Sequence, residues 1–175
     1  MPATLFVATG HAGATNAWGA PTGSGKIPVL ALLDWNGISA VSSMGISIGS
    51  HARTHRRLTY LTLPEMQEEL MSSAHEIQRR TGITPKSFAY PYGAVTPRER
   101  REVAKVYKLA VGTELSPVSQ GDDRHLLPRI DAYYLRSSGI LESFGSARFR
   151  RFLSIRNRGR QLRASVDRLR GQGGG

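Results

Sequence analysis

Two histidines, His51 and His55, stand four residues apart in the stretch SIGSHARTH. Imidazoles at this spacing can project from one face of a helical turn and converge on one metal ion, as in zinc sites of the H-x-x-x-H type. The spacing alone is equally compatible with two exposed histidines in an arginine-rich turn. Ala52 excludes the zinc-protease form of the motif, in which a glutamate follows the first histidine and acts as general base. Because the chain has no cysteine, a bound metal would be held by histidine, carboxylate or water.

Short apolar runs alternate with capped helices along the chain as far as residue 135. Capping residues and apolar spacing predict three helices, which stop at Gly45, run from Thr62 to Gly82, and run from Thr96 to about Lys108. Short strands are predicted at 3–9, 46–51, 86–90, 109–113 and 126–135. The glycine- and alanine-rich segment 10–26 is predicted to be a long loop after the first strand.

Alternating strands and helices favour a mostly parallel sheet of βα units, either open or closed into a barrel. In that architecture functional side chains gather at the carboxyl ends of the strands. His51, His55 and the pair Pro91-Tyr92 each lie at or just after the end of a predicted strand. We therefore expect these residues to share one edge of the sheet.

The order of these segments resembles the polysaccharide deacetylase family, whose members carry a NodB homology domain and are grouped as carbohydrate esterase family 4. The resemblance is carried by ATLFVATG, by SIGSHARTH with the helices on either side of it, by SFAYPYG and by LPRID. It covers about residues 2–135. It implies an α/β fold, namely a distorted, incomplete (β/α) barrel of the NodB or glycoside hydrolase-deacetylase type.

The same resemblance implies a hydrolase that removes N-acetyl groups from N-acetylglucosamine-type poly- or oligosaccharides with the help of a divalent metal, usually zinc. His51 and His55 correspond to the two histidine ligands of that metal. Tyr92, which follows Pro91, corresponds to the residue whose backbone N–H helps to hold the oxyanion. An acetylated polysaccharide is therefore the expected substrate.

The sequence departs from the family pattern in three places, of which the first two concern the catalytic base. The Asp-Asp pair that supplies the catalytic base and the third metal ligand would precede residue 2, so we expect an N-terminally truncated chain with impaired activity. Many members carry an arginine where this chain has Ala89 and Tyr90. Arg129 of LPRID is then the candidate for orienting the base.

The other histidines and the nearby carboxylates are predicted to have local roles. Asp34 is interpreted as a solvated residue at a helix start rather than as a substitute ligand. The family's Leu-x-His motif, which provides a general acid, is not recognisable, and His125 is interpreted as a loop histidine. The remaining residues with weak claims to the site are Asp122, Asp123, Asp131, His11 and His75.

Positive charge is concentrated at the C-terminal end. The chain carries a net charge of +11, and the last forty residues contain ten arginines against Glu142 and Asp167. We predict a deacetylase domain over 1–138 and a basic, Arg/Gly-rich extension over 139–175. The extension is interpreted as a basic amphipathic helix or a frayed end, attracted to an anionic membrane or polymer surface or simply solvated.

Two other functions compete with catalysis. The first is a non-catalytic module that binds carbohydrate or an anionic surface. Nucleic-acid binding rests on charge alone and is disfavoured, because the chain has no helix-turn-helix, zinc-finger or stacking-aromatic motif. No signal peptide or membrane-spanning segment is predicted, and the compartment is left open between cell envelope and cytoplasm.

Overall fold

A computed structural model describes residues 3–17, 28–135, 139–140 and 142–171, with side chains as far as Gly159. Most of the predicted loop 10–26 therefore lies outside the described residues. The chain divides into two compact units, the first formed by 1–112 with 123–126 and the second by 113–122 with 127–175. The division predicted at residue 138, which itself lies outside the described residues, stays a prediction.

The first unit is built on a parallel sheet of four strands that lie side by side in chain order. The strands are β1 (Thr4–Val7), β2 (Ser47–Ser50), β3 (Ser87–Ala89) and β4 (Leu109–Val111). In the register of the sheet, Val7 pairs with Ser50, Ser50 with Phe88, and Ala89 with Val111. All the carboxyl ends therefore meet at one edge. The predicted α/β fold is confirmed, and the described sheet has half the strands of a closed (β/α) barrel.

Three helices connect the strands, close to the positions that the capping residues predict. They are α1 (Trp35–Ser43), α2 (Leu63–Thr81) and α3 (Pro97–Val106). The Asp34 carboxylate caps α1 by accepting a hydrogen bond from the backbone N–H of Gly37 at 2.8 Å. The carboxylate of Glu65 accepts from the backbone N–H and the hydroxyl of Thr62, both at 2.8 Å, and thereby closes the first turn of α2. Gly82 ends α2 in the left-handed conformation, which glycine adopts without strain.

The core of the first unit lies between the sheet and the buried face of α2. Met66, Leu70 and Ile77 of α2 are fully buried. The first two pack in one cluster with Phe88 of β3, and Ile77 packs with Ile48 of β2 in a second cluster. The same packing that buries these side chains therefore fixes α2 behind the two central strands.

The predicted closing strand over 126–135 is wrong. Only Leu127 makes a single β-bridge, and Ala132–Leu135 form a 3-10 turn. Pro128 has no N–H to donate to a ladder. The Asp131 carboxylate accepts the backbone N–H of Tyr133 at 2.9 Å, which starts a turn where a strand would have to continue.

The second unit has its own small apolar cluster, in which Leu115 packs with Phe149 and Leu153 of helix α4 (Ala147–Gly171). Residues 147–171 of the basic extension are therefore helical, and the buried Phe149 and Leu153 pack inside their own unit. Among the residues that the structure describes, no helix is long and apolar enough to cross a membrane.

We predict that Gly49→Ala destabilises the first unit. A Cβ at residue 49 would lie 2.6 Å from the Ser87 hydroxyl oxygen and 2.7 Å from the Phe6 ring, so these side chains or the strand itself would have to shift. The free energy of unfolding in urea should fall by about 1–3 kcal/mol. Ser47→Ala, an exposed change on the same strand, is the control and should be nearly neutral. Equal stability of the two variants would contradict the close approach.

Candidate functional site

His51 follows the last residue of β2 and is oriented by the neighbouring strand. Because Ser50 pairs with Phe88, the carbonyl of Ala89 lies beside the His51 ring, and the Nδ1 atom of His51 is 2.7 Å from that oxygen. A carbonyl oxygen only accepts, so Nδ1 carries the hydrogen and Nε2 keeps its lone pair in the neutral ring. A backbone partner of this kind fixes the tautomer and orientation of metal-binding histidines.

His55 converges on His51 through its Nε2 atom. The two Nε2 atoms are 3.1 Å apart, and the ring centroids are 4.7 Å apart at 72°. In this arrangement the Nε2–H of His55 donates to the lone pair of His51. A tetrahedral zinc ion with bonds of 2.0–2.1 Å separates two ligand nitrogens by about 3.3 Å. The spacing of the pair therefore fits two ligands of one metal ion.

The convergence depends on a loop with unusual backbone angles, not on a helical turn. Ala52 and His55 have φ values of +63° and +59°, a region that side chains other than glycine rarely adopt. Ala52 is completely buried. The loop is joined to the end of β1, because the N–H groups of Thr9 and Gly10 donate to the carbonyls of Ala52 and Arg53 at 3.2 and 2.8 Å.

The sequence interpretation missed Glu69, which reaches this loop from α2. Its side chain bonds to the segment between the two histidines, and the residue is only 6% exposed. The signal was available in the sequence. Glu69 stands three residues after Met66 and four before Ser73, which places a carboxylate on the buried face of the helix.

Tyr92 lies beside the histidine pair, as expected from its place after β3. It sits in the turn Pro91–Gly93, with φ +59°, and its ring is about half exposed. The ring centroid is 4.7 Å from that of His55, and the Arg57 guanidinium lies 4.4 Å over the Tyr92 ring. The structure thus brings Tyr92 to the pair, with buried Pro91 preceding it in the chain, while the role of the Tyr92 N–H stays a prediction.

Arg129, the candidate for orienting a base, belongs to the second unit, where its N–H donates to the carbonyl of Glu114 at 2.9 Å. Its assignment stays a prediction. Two of the aspartates have other partners: Asp122 accepts from the backbone N–H of Ser119, and Asp123 pairs with Arg100 at 2.8 Å. In the described ranges, no third histidine or carboxylate joins the pair to form a group that could hold a metal ion.

Of the other histidines, His11 lies closer to the pair than its loop position suggested. Its Nε2 atom is 3.2 Å from the carbonyl oxygen of Thr54 in the loop between the histidines. His125 is a loop residue, as expected, with Nε2 3.1 Å from the carbonyl of Tyr107. His75 is exposed on α2.

The surroundings of His55 favour its neutral form. Burial, together with the charges that His51 and His11 would carry when protonated, lowers the pKa of His55 from 6.5 to about 4. Metal ions bind the neutral imidazole. His55 is therefore held neutral at a pH at which an ordinary histidine is protonated.

Comparison with known proteins gives a consistent result. Residues 1–111 match the family model described as polysaccharide deacetylase. A polysaccharide deacetylase from Bacillus cereus is 23% identical, with a TM-score of 0.59. The deacetylase PplD from Streptococcus pyogenes, solved with acetate, is also 23% identical, with a TM-score of 0.62. The deacetylase domain of BpsB from Bordetella bronchiseptica is 21% identical, with a TM-score of 0.56.

Each of these structural matches covers 74% of this chain. They cover 37%, 52% and 60% of the respective solved structures, so the chain spans between about a third and three fifths of their length. At these identities the likeness establishes the fold, and it agrees with the incomplete barrel expected from the sequence.

We predict that His55 titrates far below an ordinary histidine. In the metal-free folded chain, its ring signals followed by NMR should show a midpoint near pH 4, because burial disfavours the imidazolium. In urea the same residue should return to about 6.5. Since the unfolded chain then binds the proton more tightly, stability should fall as the pH drops from 6.5 towards 4. A folded midpoint at or above 6.5 would contradict the assigned burial.

Proposed function

Because this chain belongs to the polysaccharide deacetylase family, we propose that it takes part in metal-dependent removal of N-acetyl groups from an N-acetylglucosamine-type poly- or oligosaccharide. The observation that carries the proposal is the 3.1 Å approach of the two Nε2 atoms of His51 and His55. The Ala89 carbonyl supports it by holding the His51 tautomer that keeps the Nε2 lone pair available. Zinc suits such nitrogen ligands.

The two histidines would hold the metal and leave other positions of it open to water and substrate. A bound divalent metal supplies Lewis-acid polarisation of the acetamide carbonyl and lowers the pKa of a bound water. The chain's own contribution is to present two neutral imidazoles on a rigid loop. Tyr92, next to His55, would donate its backbone N–H to the oxyanion that develops on the attacked carbonyl.

The reaction also needs a general base. Among the described residues, no carboxylate joins His51 and His55 in a group that could hold the metal and serve as that base. A carboxylate that also completes the metal coordination would have to come from another segment. We therefore expect at most slow acetate release by the 175-residue chain when it is assayed alone, because two imidazoles bind the ion weakly and cannot act as base while they ligate it.

His51→Ala is predicted to weaken zinc binding at least about tenfold, because it removes a direct ligand, and losing even a supporting partner of a ligand costs that much. Calorimetric titration of the metal-free chain measures the affinity. Acetate release from chitin oligomers in the presence of zinc should be lost in the same variant.

His75→Ala is the matched control, since it removes an exposed imidazole from α2. It should bind zinc like the unsubstituted chain. If His51→Ala and His75→Ala bind zinc equally well, or if measurable acetate release by the unsubstituted chain persists in His51→Ala, the proposed metal site is wrong.

A second candidate function, adsorption to an anionic polymer, is favoured by the exposed arginines of α4. Five arginines of its described turns are exposed, while Phe149 and Leu153 are buried. The exposed residues are Arg148, Arg150, Arg151, Arg156 and Arg158. Because the apolar side of these turns is covered within its own unit, electrostatic attraction rather than membrane insertion would carry the binding.

Replacing Arg151, Arg156 and Arg158 by glutamine should lower the salt concentration at which the chain elutes from heparin, because three exposed charges are lost. The same change in charge at Arg56, Arg79 and Arg80, which are ion-paired in the first unit, is the control. Identical elution of the two triple variants would argue against a role of α4.

A further inference from the structure

We propose that Glu69 is the positioning residue of the histidine pair: its carboxylate holds the loop between His51 and His55 in the conformation that brings the two Nε2 atoms together. This inference rests on the proposed metal site for its functional meaning. Its structural part, the fixing of the loop, is independent of any metal.

The carboxylate reaches the loop through three hydrogen bonds. One oxygen, Oε2, accepts the backbone N–H groups of Arg53 and Thr54 at 2.9 and 2.8 Å. The other, Oε1, accepts the hydroxyl of Thr54 at 2.5 Å. Both oxygens are therefore directed at the two residues in the middle of the His51–His55 segment.

These hydrogen bonds lie between two residues whose backbone conformation is strained. Ala52 and His55, on either side of the two bonded residues, have left-handed φ values. Each such residue costs about 1–3 kcal/mol and persists only where its surroundings over-determine it. Inside the loop, the bonds to Glu69 fix the peptide groups between the two strained positions. His11, whose Nε2 contacts the Thr54 carbonyl at 3.2 Å, holds the next peptide.

The neighbouring carboxylate shows that position on α2 decides this role. Glu68 is mostly exposed and contacts only side chains of this region, the Arg53 guanidinium at 3.4 Å and the Ser72 hydroxyl. Glu69 is 6% exposed and bonds to the loop backbone. The two glutamates therefore provide a matched pair in which only one touches the peptide groups of the loop.

Glu69→Ala in the full chain should weaken zinc binding by about ten- to a hundredfold, the range seen when a group supporting metal ligands is lost. Amide hydrogen exchange at Arg53 and Thr54 should accelerate in the metal-free protein. Glu69→Gln should retain most of the affinity, because its amide oxygen can accept both N–H groups while its NH₂ donates to the Thr54 hydroxyl.

Two controls separate positioning from a general loss of stability. Glu68→Ala should leave affinity and amide exchange unchanged. Ile77→Val, which removes a buried methylene from the far part of α2, should lower the melting temperature without altering zinc affinity. If Glu69→Ala binds zinc as tightly as Glu68→Ala and keeps both amides protected, the proposal is overturned.

Two further outcomes also test whether Glu69 holds the loop. If the unsubstituted chain binds no zinc, the metal proposal fails, and amide exchange in Glu69→Ala alone decides whether the carboxylate holds the loop. If Glu69→Ala does not fold, Thr54→Val takes its place, since it removes one of the three bonds. Faster exchange at Arg53 than in Glu68→Ala supports the positioning role, and equal exchange overturns it.

Discussion

The parallel pairing of β2 with β3 is the constraint on which the site depends. With Ser50 opposite Phe88, His51 follows one strand just where Ala89 ends the next, and the 2.7 Å contact between Nδ1 and the carbonyl becomes available. A shift of one residue would turn the side chains of β2 to the opposite face of the sheet. The buried residues that resist such a shift, Ile48 and Phe88 among them, thereby also set the direction of a histidine lone pair.

The strained backbone conformations of the described structure lie close to the histidine pair. The residues other than glycine with positive φ in the described structure are Ala52, His55 and Tyr92, and all belong to the two loops that meet at the pair. Two of the three are tied to rigid neighbours: the Ala52 carbonyl accepts a hydrogen bond from the segment after β1, and Tyr92 follows buried Pro91. The convergence of two imidazoles thus depends on contacts from β1, β3 and α2 together, which a short peptide of the same sequence would lack.

Much of this architecture could be predicted because local signals agree with the fold. The Thr62 and Glu65 pair marks the start of α2, Gly82 marks its end, and alternating short strands and helices predict the parallel sheet. The closing strand and the role of Glu69 were not predicted correctly, because both depend on hydrogen bonds that the local sequence pattern does not reveal. The segment after Leu126 is apolar enough for a strand, but Asp131 turns it. Glu69 looks like one more helix glutamate until its bonds to residues sixteen and fifteen positions earlier are known.

The protonation state of the pair connects the packing with the proposed chemistry. A proton and a metal ion compete for the same imidazole lone pair. At pH 5.5 a histidine with a pKa of 6.5 is about nine-tenths protonated, whereas one with a pKa of 4 is only about 3% protonated. Burial that costs stability in acid therefore preserves a ligand for the metal. The contacts that confine His55 and the low proton affinity of its ring are two results of one cause, the enclosure of the loop between β1, α2 and the Tyr92 turn.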